Sequence, residues 1–140
     1  MSRTSGIGTI VDAVVDALRA SAAVTALVPA ERIANNIPSG TARPYLLVDV
    51  ETETDDDTLS LGGVDAVCSV TPVSDYSGSW QIGQIASAVR AALDAQPLLV
   101  EGFEDGPADV TYEQALGELR EQVAGVVVRR RPLWFRVRAL

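Results

Sequence analysis

The sequence predicts an α+β domain: a small, mostly antiparallel β-sheet with two amphipathic helices packed on one face. Three observations carry that expectation. Apolar residues recur at helical spacing in two separate stretches, at Ile7, Ile10, Val11, Val14, Val15 and Leu18, and later at Ile82, Ile85, Ala86, Val89 and Leu93. Elsewhere they alternate with period two, the mark of half-buried strands, at Leu46, Val48 and Val50 and again at Leu133, Phe135 and Val137. The 140 residues, 47% hydrophobic and 21% charged, suffice for one core and are few for two, so residues 1–140 read as a single domain.

The elements follow in order. The first helix begins near Ile7, where Thr4 or Ser5 can cap it, and turns Thr9, Asp12, Ala13 and Asp16 to the outside. Ser21 is placed to cap a short second turn, Ala22 to Val28, which Pro29 ends. Residues 32–37 read as a short extended piece, followed by the turn Pro38-Ser39-Gly40. A strand is expected over Tyr45–Thr54, broken by Asp55, Asp56 and Asp57. Gly62-Gly63 then leads into a second strand, Val64–Val73, in a hairpin or meander. A second long helix is expected over Ser79–Ala95, closed by Gln96-Pro97, and Leu98–Glu104 reads as a strand. From Asp109 to Gln122 two readings stand: Tyr112, Leu116, Leu119 and Val123 suit a helix, whereas Val110-Thr111-Tyr112 suits a strand. Beyond Gly125 the chain is β again, with Pro132 as a bulge or break.

Composition narrows the chemistry. All 11 basic residues are arginines; against 19 acidic residues they leave a net charge of −8, which opposes a broad grip on phosphate backbones or anionic membranes. There is no histidine and one cysteine, so His-based triads, His/Cys zinc clusters and internal disulfides are excluded. No pair of residues nominates a nucleophile and base, so no catalytic, cofactor-binding or metal-ligating residue is assigned. Cys68, in an apolar run, reads as a buried hydrophobe. The longest uncharged stretch, Tyr76–Val89, is too short and polar to span a bilayer, and Asp12 and Asp16 interrupt any secretory leader, so the chain is expected to be made in the cytoplasm. Gly6-Ile7-Gly8 lacks the preceding strand and third glycine of a dinucleotide loop.

Three surface features remain. Asp55, Asp56 and Asp57 lack the ligand pattern of an EF-hand and read as a solvated acidic loop. The outer side of the second helix is unusually small at Gly83, Ser87 and Ala91, which invites close packing by another surface. Arg129, Arg131, Arg136 and Arg138 stand in the C-terminal strand region, where alternation puts Arg136 and Arg138 on one face, and suit a solvated or subunit-facing surface.

The order of elements, together with Ala23-Val24-Thr25-Ala26-Leu27-Val28, Arg32-Ile33, Ile37-Pro38, Pro44-Tyr45 and the closing Phe135-Arg136-Val137-Arg138, resembles the tailed-phage tail-completion or tail-terminator family. The likeness covers residues 7 to about 104 and the last eight or so. It implies a structural virion protein, not an enzyme, that forms a homo-hexameric ring at the head-proximal end of a tail tube, ends tube polymerisation and offers a head-joining face. The implied partners are further copies of the chain, the major tail tube protein and the head–tail connector; DNA passes through the lumen without specific binding, no membrane is involved and no cofactor is needed. Within that frame Asp55–Asp57 are expected at the lumen or tube-facing side. Gly83, Ser87, Ala91, Arg129, Arg131, Arg136 and Arg138 are expected at subunit contacts. A head–tail connector or neck protein of the same virion, or a small acidic monomeric adaptor or inhibitor, are the alternatives.

Overall fold

The computed structural model describes residues 6–56, 63–100 and 107–139. The proposed caps Thr4 and Ser5, along with Asp57, lie outside the described residues. Helix α1 (Gly6–Ala20) buries Ile10, Val11, Val14, Val15 and Leu18 as the spacing requires. Ala13, expected outside, is buried too, because α1 is wedged between the sheet and the other helices and so covers a wider arc than a stripe. Ser21 caps the one-turn helix α2 (Ala22–Thr25), its hydroxyl accepting from the Val24 amide at 3.3 Å. A 3-10 turn (Ala30–Arg32) then delivers the two-residue strand β1 (Ile33–Ala34), which runs parallel to the start of β2 (Tyr45–Asp56).

β2 and β3 (Gly63–Ser74) form a long antiparallel hairpin, Tyr45 opposite Val73 and Asp56 opposite Gly63, with a bulge between Val50 and Thr52. The strand therefore runs through Asp55 and Asp56, two residues beyond the expected break: each has a ladder partner, Val64 and Gly63. Helix α3 (Trp80–Leu93) follows, packing Ile82, Ile85, Val89 and Leu93 inward.

Two expectations for the second half are corrected. Leu98–Glu104 is not a strand in its described part: only Leu98 pairs, through an isolated bridge to Ala108. The helical reading of 109–122 gives way to strands β4 (Asp109–Ala115) and β5 (Leu119–Val123). The apolar spacing there misleads because Tyr112 packs on Phe135 in the core while Leu119 and Val123 belong to a different, exposed ribbon; the shared helical period is coincidental. β6 (Val126–Arg130) and β7 (Leu133–Ala139) are separated at Arg131-Pro132.

The sheet is ordered β1-β2-β3-β6-β5, with β7 and β4 branching from β3. β7 lies along Val64–Val70 and β6 along Val73–Ser74, so the two occupy the same side of β3 end to end. The helices cover the face carrying Leu46, Val48, Ala66, Cys68, Val70, Leu133, Phe135 and Val137, all buried. The opposite face carries Trp134, Arg136 and Arg138, as the alternation requires.

Candidate assembly surfaces

α2 and the first half of α3 enclose an open groove of about 610 Å³ lined by Ala23, Ala26, Leu27, Trp80, Gly83, Gln84, Ser87 and Ala88. Trp80 stands at the groove with 64% of its surface exposed, its ring 6.1 Å from that of Tyr76, itself half exposed. Gly83 and Ser87 thus belong to one apolar surface; Ala91 is exposed one turn further along α3, outside the groove lining. Nothing lies within 4 Å of the position a Cβ on Gly83 would take, so inside the subunit the glycine is not needed for packing.

The β5–β6 hairpin is the second surface. Ala124 and Gly125, with φ of 50° and 83°, make a tight two-residue turn of the kind whose twist matches paired strands. All five residues of β5 are exposed, and the hairpin leaves Leu119, Val123, Val126 and Val127 open to solvent while burying Val128. Among the described residues its strand pairing to the body is two β6–β3 pairs, Arg130 with Val73 and Arg129 with Ser74. The Glu118 carboxylate reinforces its base: it accepts from Arg129 at 3.1 Å and Arg120 at 3.0 Å. A hydrogen bond from Ser79 first, then those arginines, hold its pKa below the usual carboxylate range. Because Ser79 immediately precedes α3, the hairpin base adjoins the Trp80 end of the groove.

The predicted arginines are mostly engaged within the subunit. Arg136 reaches Glu113 at 2.6 Å and Asp65 at 3.2 Å, Arg138 reaches Asp65 at 3.4 Å, and Arg129 holds Glu118. Arg131 is exposed. Asp55 and Asp56 lie on β2 rather than in a loop. Sequence reasoning missed Tyr76, Trp80 and the apolar hairpin. Trp80 had a legible signal, since it falls off the Ile82–Ile85–Val89–Leu93 stripe and so had no core position to fill.

Cys68 is fully buried; burial first, and the nearby Asp49 carboxylate second, push its thiol up to about 12, which makes it an inert packing group. Among the described residues no group of three or more Cys, Asp or Glu side chains is arranged to hold a metal ion, and no helix is long and apolar enough to cross a membrane.

A domain that exposes an apolar groove and an apolar ribbon offers surface for other polypeptides to cover. This defines the class, an assembly protein. The family described as Tail completion protein gp17 matches residues 12–136, and the chain belongs to that family. It is a structural protein of the virion tail. A chain in the solved structure "Virion of native gene transfer agent (GTA) particle" is similar over 94% of this chain and 95% of its own length, with 25% identity and a TM-score of 0.66. No curated protein sequence matches.

Proposed function

We propose that the chain assembles into a closed ring, of six subunits by the family resemblance, at the head-proximal end of the tail tube, where it ends tube polymerisation and forms the face that joins the head. It acts by shape and transforms no substrate. The observation that carries this reading is the pair of exposed apolar surfaces, the α2–α3 groove with Trp80 and the β5–β6 hairpin, on a tail-completion subunit. A stable contact buries about 800 Å² per partner, and a head-to-tail ring uses two different patches on every subunit. Gly83 and Ser87 let a neighbour approach the helix closely, and Ala91 extends that contact. Arg131 and the outer edges of Arg129, Arg136 and Arg138 supply charge at the boundary. Asp55, Asp56 and Asp57 face the lumen or the tube side, where carboxylates keep passing DNA from adhering.

The test is electron microscopy of the purified protein mixed with tail tubes lacking heads, paired with deletion of the gene. Rings capping one end of the tubes, and overlong tubes or headless tails without the gene, are expected. Tubes of normal length joined to heads in the deletion strain refute the proposal.

A further inference from the structure

Among the described residues several sheet edges in this fold are closed by side chains or by neighbouring backbone, and two open stretches stand out. The Arg19 guanidinium, projecting from the last turn of α1, donates to the Ile33 carbonyl at 2.7 and 3.0 Å and to the Ala30 carbonyl at 3.1 Å, closing the outer side of β1. On β2 the Asn35 amide donates to the Val48 carbonyl at 2.8 Å, and the Val50 amide donates to the Asp49 carboxylate at 2.8 Å. On β4 the Ala95 amide donates to the Val110 carbonyl, the Tyr112 amide donates to the Asp94 carboxylate, and Leu98 bridges Ala108. Proteins blunt edges in this way because a row of unpaired amides and carbonyls templates another strand.

β5 carries no such plug. Its two-residue turn makes Val123 and Val126 a hydrogen-bonded pair. Counting back by twos, Glu121 and Leu119 also bond to β6, and Arg120 and Gln122 aim their amides and carbonyls outward. Among the described residues those groups have no partner. A second open stretch is β2 after Val50: among the described residues β1 pairs with Leu46 and Leu47, and β2 continues to Asp56 with β3 as its one neighbour. These two edges lie toward opposite ends of the sheet order β1-β2-β3-β6-β5, the placement a head-to-tail contact requires.

Their charges are complementary. The segment 118–131 holds four arginines against two glutamates, a net +2, while the rest of the chain holds seven arginines against seventeen carboxylates, a net −10. The open part of β2 contributes Glu51 and Glu53 to that excess and leads into Asp55 and Asp56.

We infer that β5 of one copy adds as a strand to the Glu51–Thr54 edge of β2 in the next copy, so that the sheet continues across each subunit boundary. Main-chain bonds join the copies, the charge difference steers the basic hairpin onto the acidic edge and opposes pairing of two hairpins, and docking covers part of the exposed Leu119, Val123, Val126 and Val127. The inference rests on the ring reading and names the contact that closes the ring.

The experiment uses the full chain with tail tubes. Gln122→Cys is combined in turn with Glu51→Cys, Glu53→Cys and Asp55→Cys, with Gln122→Cys plus Asp109→Cys on β4 as control; Cys68 is buried and silent. Disulfide-linked ladders under mild oxidation in at least one β2 combination, and none in the control, are expected. Gln122→Pro removes an outward amide and leaves the β5–β6 bonds in place, so it is expected to abolish rings while the circular dichroism melt stays within a few degrees of the parent. Arg120→Glu is expected to weaken ring formation and Glu53→Arg in the same chain to restore it. Rings that form without ladders and survive Gln122→Pro and Arg120→Glu overturn the strand contact and leave the ring standing. A parent chain that stays monomeric on tubes overturns both.

Discussion

Replacing Trp80 with alanine separates folding from assembly. The indole is 64% exposed, and a tryptophan offers up to about 250 Å², so roughly 160 Å² is there to be covered by a neighbour. At about 25 cal/mol per Å², covering it is worth about 4 kcal/mol. Alanine keeps a methyl group, and truncations of central aromatic contacts cost about 2–4 kcal/mol, which weakens each subunit contact about 30- to 800-fold. The isolated fold should hardly notice: Trp80 is absent from the buried core, and exposed substitutions stay within about 0.5 kcal/mol, a shift of about 2 °C in a domain of this size. The assay is sedimentation velocity and electron microscopy with tail tubes, run beside calorimetry of the free subunit. Ring formation at parental concentrations refutes the assignment of this surface. A drop in melting temperature of ten degrees or more refutes the argument that Trp80 is idle in the monomer.

Four further outcomes test other parts of the structure. Phe135→Ala removes a ring that is 1% exposed and stacked edge-on against Tyr112 at 5.6 Å; it should cost about 3–5 kcal/mol, read as a melting temperature lowered by about 10–20 °C. Ala124→Asn places a residue that tolerates positive φ at the first turn position, where alanine sits at 50°. It should stabilise the β5–β6 hairpin by up to about 1 kcal/mol, seen as slower amide exchange there. Cys68 should resist a thiol reagent in the native protein and react only on unfolding. With its folded pKa raised to about 12, its contribution to stability is intact below the ordinary thiol pKa and is lost as pH rises from there toward 12, so denaturant midpoints should fall over that alkaline range and the Cys68→Ala chain should lack this component. Glu118 has the opposite sign: its folded pKa is lowered, so its contribution is present above the ordinary carboxylate pKa and is lost as pH falls below about 4. Amide exchange in the hairpin should rise on acidification relative to the core, and Glu118→Gln should remove that pH dependence.

Residues that fold this domain were legible because burial imposes a period. Ile10, Val14 and Leu18, Ile85, Val89 and Leu93, and Leu46, Val48, Phe135 and Val137 all lie where helical or alternating spacing puts them. The family likeness was legible for the same reason, since it rests on the order of such segments and on markers such as Ile37-Pro38 and Pro44-Tyr45, and it extends to the tail-completion match over residues 12–136. What spacing could not supply was the pairing of strands distant in sequence. The branch at β3, where β7 and β6 share one side, depends on Pro132 parting two runs that otherwise read as one, and nothing local says which neighbour each half takes.

The surfaces proposed for assembly were hidden for a different reason, and it bears on how they would work. Apolar residues bound for a partner obey the partner's geometry, so they break the chain's own period. Trp80 stands off its helix stripe, Val126, Val127 and Val128 run consecutively with only the third buried, and Leu119 and Val123 mimic a helix while lying on a ribbon. The hydrogen bonds make the same division. Arg19, Asn35, Asp49 and Asp94 each spend a polar side chain on closing an edge that would otherwise recruit strands at random. On the proposed ring reading, a subunit that joins its neighbours in one direction needs those plugs as much as it needs its open edges. Opening a plug is therefore the complement of closing β5. Arg19→Ala, which frees the Ile33 carbonyl without touching the β5 or β2 edges, should produce off-register aggregates in light scattering while rings still form on tubes. If it leaves the protein as monodisperse as the parent, the edge bonds are structural detail and direction is set elsewhere.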